Sequence, residues 1–289
     1  MNAIKIISLK EENKFPTMDP RLILHKNNLI PKKSFGQNFL IDSLLLDRIS
    51  EHIYSLSKKS HSASVFELGS GTGALTECLL KKKLTLQTIE RDRDMVPILN
   101  EAFHSSIKSG QLKLHEDDIV KFLKKLHHFK KKVILCGNLP FNLSSAILFQ
   151  TTDLYKNLSG AIYLLQKEFV ERINSTPCSK SYGVLSVLVQ SRYKISILEN
   201  VDRTCFWPSP IVESNLICLN EKENEQIDWN LFVNLVKTAF SKRRKTLLNN
   251  LKNYPDIDII FEVLKIKSNS RAEEISVETY HSICNKLKR

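Results

Sequence analysis

A chain of 289 residues, 42 % of them hydrophobic, has room for one large domain and a smaller one and is too apolar for global disorder. Forty-three Lys and Arg against 31 Asp and Glu give a formal charge of +12, which fits a polyanionic partner or a solvated basic surface. No apolar run approaches the ~18 residues that cross a bilayer, so no membrane association is expected.

Residues 1–31 hold short apolar pieces interrupted by Glu11, Glu12 and Asp19. They form neither a secretory apolar core nor an acid-poor transit peptide, and read as a flexible N-terminal segment of a cytoplasmic protein. Asp42 or Ser43 can cap a helix running through Ile53. Short apolar strands then alternate with helices. Ser64–Leu68 is a strand, Ala74 to about Lys82 a helix, Leu84–Glu90 a strand, and Asp92–Phe103 a helix. Leu112–His115 is a strand, Ile119–Leu126 a helix, Val133–Gly137 a strand, and a helix starts near Ser144. Lys81-Lys82-Lys83 compensates a helix carboxyl end, and His127-His128 before Lys130-Lys131-Lys132 makes a wet basic turn. Such alternation implies a parallel, Rossmann-like α/β sheet with helices on both faces. Further on come a strand at Ala161–Leu165, helices at Lys167–Ile173 and Val184–Arg192, and strands near Ile195–Val201 and Asn215–Leu219. From Asp228 the pattern turns wholly helical: Trp229–Leu251, Ile257–Leu264 and Val277–Leu287. The expected organisation is a flexible 1–31, an α/β domain over 32–220, a polar linker at Glu221–Gln226, and a small all-helical domain over 227–289.

The six cysteines, Cys78, Cys136, Cys178, Cys205, Cys218 and Cys284, show no C-x-x-C spacing, and no histidine completes a zinc set. A reducing compartment and no metal are expected. The first strand runs into Gly69-Ser70-Gly71-Thr72-Gly73 and a helix, and Glu90 ends the next strand 21 positions after Gly69. Glycines let the backbone turn sharply against a ligand, and an acid about 20 residues on can accept from both hydroxyls of a ribose. Strand, turn, helix and acid together point to an adenosine-containing cofactor. The missing third glycine of the pyrophosphate fingerprint disfavours a nicotinamide, and no G-x-x-x-x-G-K-[ST] is present. Asp118, just after the third strand, can accept from a cofactor adenine amine or cap the helix at Ile119, and the two roles are compatible.

Asn138-Leu139-Pro140-Phe141 follows the fourth strand, at the sheet edge where ligands bind in such folds. The Asn138 amide oxygen and the carbonyl of Leu139 or Pro140 can accept both hydrogens of an exocyclic amine, and Phe141 offers a face for a purine. The bland alternative is a proline turn between strand and helix. Lys242-Arg243-Arg244-Lys245 lies in a helical pattern whose Phe232, Leu235, Val236, Ala239 and Leu247 face a core, leaving the cations outside, where they gain most if phosphates neutralise them and are otherwise a solvated charge run. Lys32-Lys33 is a candidate to join that surface.

Ordered along the chain are Lys33-Ser34-Phe35-Gly36-Gln37-Asn38-Phe39-Leu40, Phe66-Glu67-Leu68-Gly69-Ser70-Gly71-Thr72-Gly73, Glu90 with Asp92, and Asn138-Leu139-Pro140-Phe141. Leu165-Gln166-Lys167-Glu168, Phe206-Trp207-Pro208-Ser209-Pro210, Ala239-Phe240-Ser241-Lys242-Arg243-Arg244-Lys245-Thr246-Leu247 and Arg271-Ala272-Glu273-Glu274 follow. From about residue 30 to 289 the chain resembles the KsgA-type ribosomal RNA small-subunit adenine dimethyltransferases. The resemblance implies a class I methyltransferase that uses S-adenosyl-L-methionine to dimethylate the N6 amine of two adjacent adenines near the 3′ end of small-subunit (16S) rRNA. It also implies a role in small-subunit biogenesis, with rRNA in a pre-ribosomal particle as partner, and a monomer is expected. By this resemblance cofactor contacts fall on Asn38, Leu40, Gly69, Glu90, Asp118 and Asn138, with Gly71 in the same turn. The base pocket falls on Asn138, Leu139, Pro140, Phe141 and Phe206. The family usually has Tyr where this chain has Phe141, and Trp207 beside Phe206 leaves two rings as candidates for stacking. A large-subunit rRNA methyltransferase of the antibiotic-resistance type, or a non-catalytic RNA- or DNA-binding factor on the same core, are the alternatives. The Lys242–Lys245 segment and Arg271–Glu274 favour the small-subunit type, and intact Glu90 and Asn138 favour an enzyme.

Overall fold

Residues 133–136, Val-Ile-Leu-Cys, alternate with nothing polar, and a strand apolar on both sides belongs in the middle of a covered parallel sheet. The computed structural model, which describes residues 18–60, 63–222 and 227–288, has that arrangement. Its strands are β1 (Phe39–Leu40), β2 (Ser64–Leu68), β3 (Leu86–Glu90), β4 (Leu112–Glu116), β5 (Val133–Asn138), β6 (Leu158–Gln166), β7 (Tyr193–Val201), β8 (Phe206–Trp207) and β9 (Ser214–Glu221). Seven of them form one sheet in the order β4-β3-β2-β5-β6-β9-β7. The pairs from β4 across to β6 are parallel, and β9 joins β6 antiparallel. The sheet is therefore mixed, where alternation alone had implied a parallel one. β1 and β8 pair separately and antiparallel.

Two compact units are present: Met1–Lys167 with Ser196–Leu219, and Glu168–Ile195 with Asn220–Arg289. The first carries α1 (Pro20–Lys26), α2 (Ser43–Lys59), α3 (Ala74–Lys81), α4 (Met95–Ala102), α5 (His104–Lys108), α6 (Ile119–Leu126) and α7 (Ser144–Asp153). Successive strand residues point to opposite faces. Val65 joins the core with Leu46 and Ile49 of α2 and Leu79 of α3, while Phe66 meets Phe122 of α6 at 5.9 Å between ring centroids. Helix starts follow the capping residues. Asp42 accepts from the Leu45 amide and Asp118 from those of Val120 and Lys121, each a cap worth about 1 kcal/mol.

The second unit holds α8 (Lys167–Ile173), α9 (Val184–Arg192), α10 (Trp229–Ala239), α11 (Leu247–Leu251), α12 (Ile257–Val263) and α13 (Val277–Leu287). α9, α10 and α13 pack on one another, with Phe232, Leu235, Val236, Tyr280 and Ile283 buried. α8 and α9 thus group with the carboxy-terminal helices.

Two expectations are corrected, and a third, the linker, is described only at its start. Part of the segment expected to be flexible is a helix, α1, because Asp19 caps it and Leu24 is buried; residues 1–17 lie outside the described residues. Of the expected linker, Glu221 ends β9 and 223–226 lie outside the described residues. The expected helix over 229–251 is two helices with a turn between them, so Lys242–Lys245 is not helical. Thr246 caps α11 through the Asn249 amide, and the Asn250 side chain donates to the carbonyls of Ala239 and Lys242, which closes the turn. Phe232, Leu235, Val236, Ala239 and Leu247 are nonetheless buried and the four cations exposed.

Candidate active site

The carboxyl ends of β2, β3 and β5 meet at one edge of the sheet, beside a cavity of about 260 Å³. Asn38, Gly69, Gly71, Glu90, Asp118 and Asn138 line it. In chain order β3 and β4 lie on one side of β2, and β5 and β6 on the other, so the cavity sits at the switch in strand order.

After β2 the backbone turns through Gly69, Gly71 and Gly73, all at positive φ. A Cβ on Gly73 would meet the Phe103 ring at 2.6 Å and Leu99 at 2.9 Å, so this wall of the turn admits only glycine. Glu90, 8 % exposed, braces the turn. Its Oε2 accepts from the Gly71 N–H at 2.8 Å, and its Oε1 accepts from the N–H groups of Arg91 and Asp92, also at 2.8 Å. Burial pushes the Glu90 carboxyl up, against the pull of those three donors. A carboxylate has about four acceptor positions, so capacity remains for hydroxyl donors in the cavity. The Ser70 hydroxyl, also on the lining, is buried and has no partner among the described residues. A polar, glycine-turned cradle with a spare carboxylate and a spare hydroxyl fits the ribose end of an adenosine compound.

Asp118 performs its capping role through Oδ1, and its Oδ2 accepts from Arg91 at 3.1 Å. Beneath the turn lies Glu67, 1 % exposed, whose Oε2 accepts from the Thr76 hydroxyl at 2.6 Å. Burial pushes its carboxyl up to about 7.

The opposite wall is Asn138–Phe141. The Asn138 side-chain NH₂ donates to the Asn38 carbonyl at 2.7 Å, which directs its amide and leaves Oδ1 for a cavity ligand. The Pro140 carbonyl already accepts from the Leu143 N–H at 2.9 Å and the Ser144 hydroxyl at 3.3 Å. Leu139 donates its own N–H to Leu164. Phe141 is half-buried on the lining.

The segment carrying Asn38 is pinned by a residue to which sequence reasoning gave no role. Asp92, 2 % exposed, accepts from the Gln37 amide at 2.7 Å and from the Lys32 ammonium, and Lys32 also pairs with Asp94. Gln37 in turn accepts from the Lys32 N–H at 2.7 Å. Gln37 and Asp92 both stand in the motifs, but 55 residues apart, with no local pattern to join them. Lys32 is committed to this clasp and is not a free surface cation.

Leu40 lines the cavity at 4 % exposure. Phe206 does not: it is 2 % exposed, pairs with Leu40 across β1 and β8, and joins the core. Its ring therefore presents no face to the cavity, and Trp207 pairs with Phe39 beside it. Lys242, Arg243, Arg244 and Lys245 belong to the second unit, where the Arg243 guanidinium donates to the Lys180 carbonyl at 3.2 Å. Among the described residues no group of three or more His, Cys, Asp or Glu is arranged to hold a metal ion, and no helix is long and apolar enough to cross a membrane.

Residues 28–289 match the family model described as "Ribosomal RNA adenine dimethylase". The "Ribosomal RNA small subunit methyltransferase A" of Francisella tularensis subsp. novicida is 37 % identical over 261 residues, covering 89 % of this chain and 97 % of the relative. That of Nitrosomonas europaea is 35 % identical over 260 residues, covering 89 % and 96 %. Among solved structures, a dimethyladenosine transferase from Plasmodium falciparum superposes with a TM-score of 0.65 at 23 % identity, covering 82 % of this chain and 95 % of that one. The 23S rRNA methyltransferase ErmE gives 0.61 at 20 %, covering 87 % and 100 %. At those identities the two structures share the fold.

Proposed function

This chain belongs to the ribosomal RNA adenine dimethylase family, and from that premise we propose that it dimethylates the N6 amines of two adjacent adenines near the 3′ end of small-subunit rRNA. Membership makes it a transferase, an rRNA (adenine-N6,N6-)dimethyltransferase. One observation supports methyl transfer to an amine in this family: a single cavity has the Glu90-braced glycine turn on one wall and, on the other, the Asn138 amide held by Asn38.

S-adenosyl-L-methionine, when bound, supplies a methyl group already activated on a sulfonium. Glu90 accepts from the ribose hydroxyls, Ser70 offers a hydroxyl that has no partner among the described residues, and Asp118 accepts from the cofactor's adenine amine. Gly69, Gly71, Asn38 and Leu40 shape the same wall. Asn138 Oδ1 and the Leu139 carbonyl accept the two hydrogens of the target amine, since Pro140's carbonyl is already engaged. Fixed acceptors of this kind support the positive charge that grows on nitrogen as it attacks. Phe141 stacks on the extruded base, which recovers about 1–3 kcal/mol of the unstacking energy. Stacking needs a ring and no hydroxyl, so Phe serves where Tyr is usual. In-line positioning accounts for the rest, and no side-chain nucleophile is needed.

The sheet-bearing unit, which within the expected 32–220 leaves out 168–195, is the catalytic part, and residues 227–289 face rRNA through Lys242, Arg243, Arg244 and Lys245. The protein acts in the cytoplasm as a monomer, on rRNA within a pre-ribosomal particle, with a role in biogenesis. The test is methyl incorporation into small and large subunits from cells lacking the modification, with modified positions mapped. Label at two neighbouring adenines of small-subunit rRNA is expected. Label confined to large-subunit rRNA, or none at all, overturns the reading.

A further inference from the structure

The connections that lead into the parallel strands differ in charge from those that leave them. Residues 57–60, 81–85, 108–111, 127–132 and 154–157 lie just before β2, β3, β4, β5 and β6. Together they hold ten lysines and no Asp or Glu. The connections at the other edge, 69–73, 91–94, 117–118 and 139–143, hold four Asp and two Arg. Parallel strands gather all their leading connections at one edge, and here backbone bonds tie them together. The Ser64 N–H donates to the Lys132 carbonyl at 2.9 Å, Val133 to Asn157 at 2.7 Å, and Leu86 to Gln111 at 2.8 Å.

Helices end at this edge, and cations in their last turns offset the negative end of the helix dipole. That accounts for Lys58, Lys59, Lys81 and Lys108. It does not account for Lys83, Lys130, Lys131 and Lys156, which stand beyond any helix, are exposed, and make no ion pair among the described residues. Like charges so gathered repel one another and gain most when phosphates neutralise them. The same edge holds a recess of about 470 Å³ lined in part by Tyr54, Lys58 and Lys83, with the Lys58 ammonium 5.1 Å from the Tyr54 ring centre.

We propose that this edge is a further RNA-binding surface, which holds phosphates of an rRNA segment other than the one that enters the cavity. The proposal rests on the rRNA substrate argued above. A strand of five residues separates the two edges by roughly 17 Å before the loops are added. A short target loop seated in the cavity does not span that distance, whereas a folded rRNA reaches both edges. The surface thus favours a structured subunit over an isolated target segment.

The test combines Lys83→Gln, Lys130→Gln, Lys131→Gln and Lys156→Gln in the full chain, after checking that its melting temperature matches wild type. Methyl transfer is measured on unmodified small subunits and on a short hairpin carrying the target adenines. Expected is a rise in KM on subunits of about tenfold at 0.15 M salt, with kcat and the hairpin KM unchanged. The slope of log affinity for subunits against log salt falls by about 3 for four phosphates released. An unchanged KM and salt slope on subunits overturns the proposal, as does an equal loss on the hairpin, which would mark a general charge effect. Loss of binding to anionic phospholipid vesicles with RNA binding intact assigns the edge to a lipid surface instead, and overturns it too. If wild type labels neither RNA, the functional reading fails, and the binding titration on subunits still decides this surface by itself.

Discussion

The two walls of the cavity are built on different length scales. The glycine turn is braced by a carboxylate 19 residues away, and the same carboxylate takes two more N–H groups from its own neighbours. The amide wall depends on a bond between Asn138 and Asn38, 100 residues apart, and the Asn38 segment depends in turn on Asp92, 55 residues from Gln37. The glycine-turn wall is held by three bonds to one carboxylate, two of them local and one spanning 19 residues. A wall aimed by one long-range bond has its direction set by whatever holds the far partner. Under the proposed function, damage to the first is expected in cofactor affinity, and damage to the second in the orientation of the reacting amine, hence in turnover.

The largest test of that division is Asn138→Ala. It is expected to lower kcat by about 10²–10³ while the Kd for S-adenosylmethionine moves by less than about threefold. Equal losses in single-turnover kinetics and calorimetry would merge the two walls into one. Glu90→Ala comes next. Losing two charge-assisted hydrogen bonds, at about 1.5–3 kcal/mol each, weakens the cofactor about 100-fold or more by calorimetry. Unchanged binding rules out the ribose role. Asp92→Asn sharpens the comparison, because its backbone serves the Glu90 wall and its side chain serves the other. About a tenfold fall in kcat is expected with cofactor Kd nearly constant; the reverse split assigns Asp92 to the cofactor wall.

The smallest effect concerns pH and the floor under the glycine turn. Glu67 holds its proton up to about pH 7 in the folded chain, above an ordinary carboxyl. The native state thus binds a proton that the unfolded state has released, and stability falls as pH rises from about 4.5 to 7, then levels. Glu67→Gln should flatten that decline, as read by melting temperature across the window. A wild-type curve with no decline there, or a variant that keeps the full decline, removes Glu67 as its source.

Where local chemistry was complete, sequence patterns and structure coincide. α6, α8, α9 and α13 begin and end where the apolar period and the turn residues put them, because capping and amphipathicity are set within a few neighbours. The glycine turn and Glu90 were legible through the fixed spacing of a strand–turn–helix–strand unit, which puts the acid beside the turn although 19 residues separate it from Gly71. The expected helix through 229–251 misled because its apolar residues are buried on schedule. What breaks it is the cap at Thr246 and the Asn250 side chain reaching back to Ala239 and Lys242. Phe206 misled differently. An aromatic in a family motif was read as a stacking ring, but strand pairing with Leu40 turns it into the core.

By itself the sequence determined the alternation of strands and helices, the glycine turn after β2 with its acid at the end of β3, and the Asn138–Phe141 tetrapeptide at the end of β5. These are properties of residues close together in the chain. Tertiary structure alone decided which way the Asn138 amide points, which aromatic reaches the cavity, and that lysines scattered over five separate connections share one edge. Each of those follows from residues brought together from separate parts of the chain, as Asn138 meets Asn38 and Phe206 meets Leu40, and no local pattern records which distant backbone will be there to meet them.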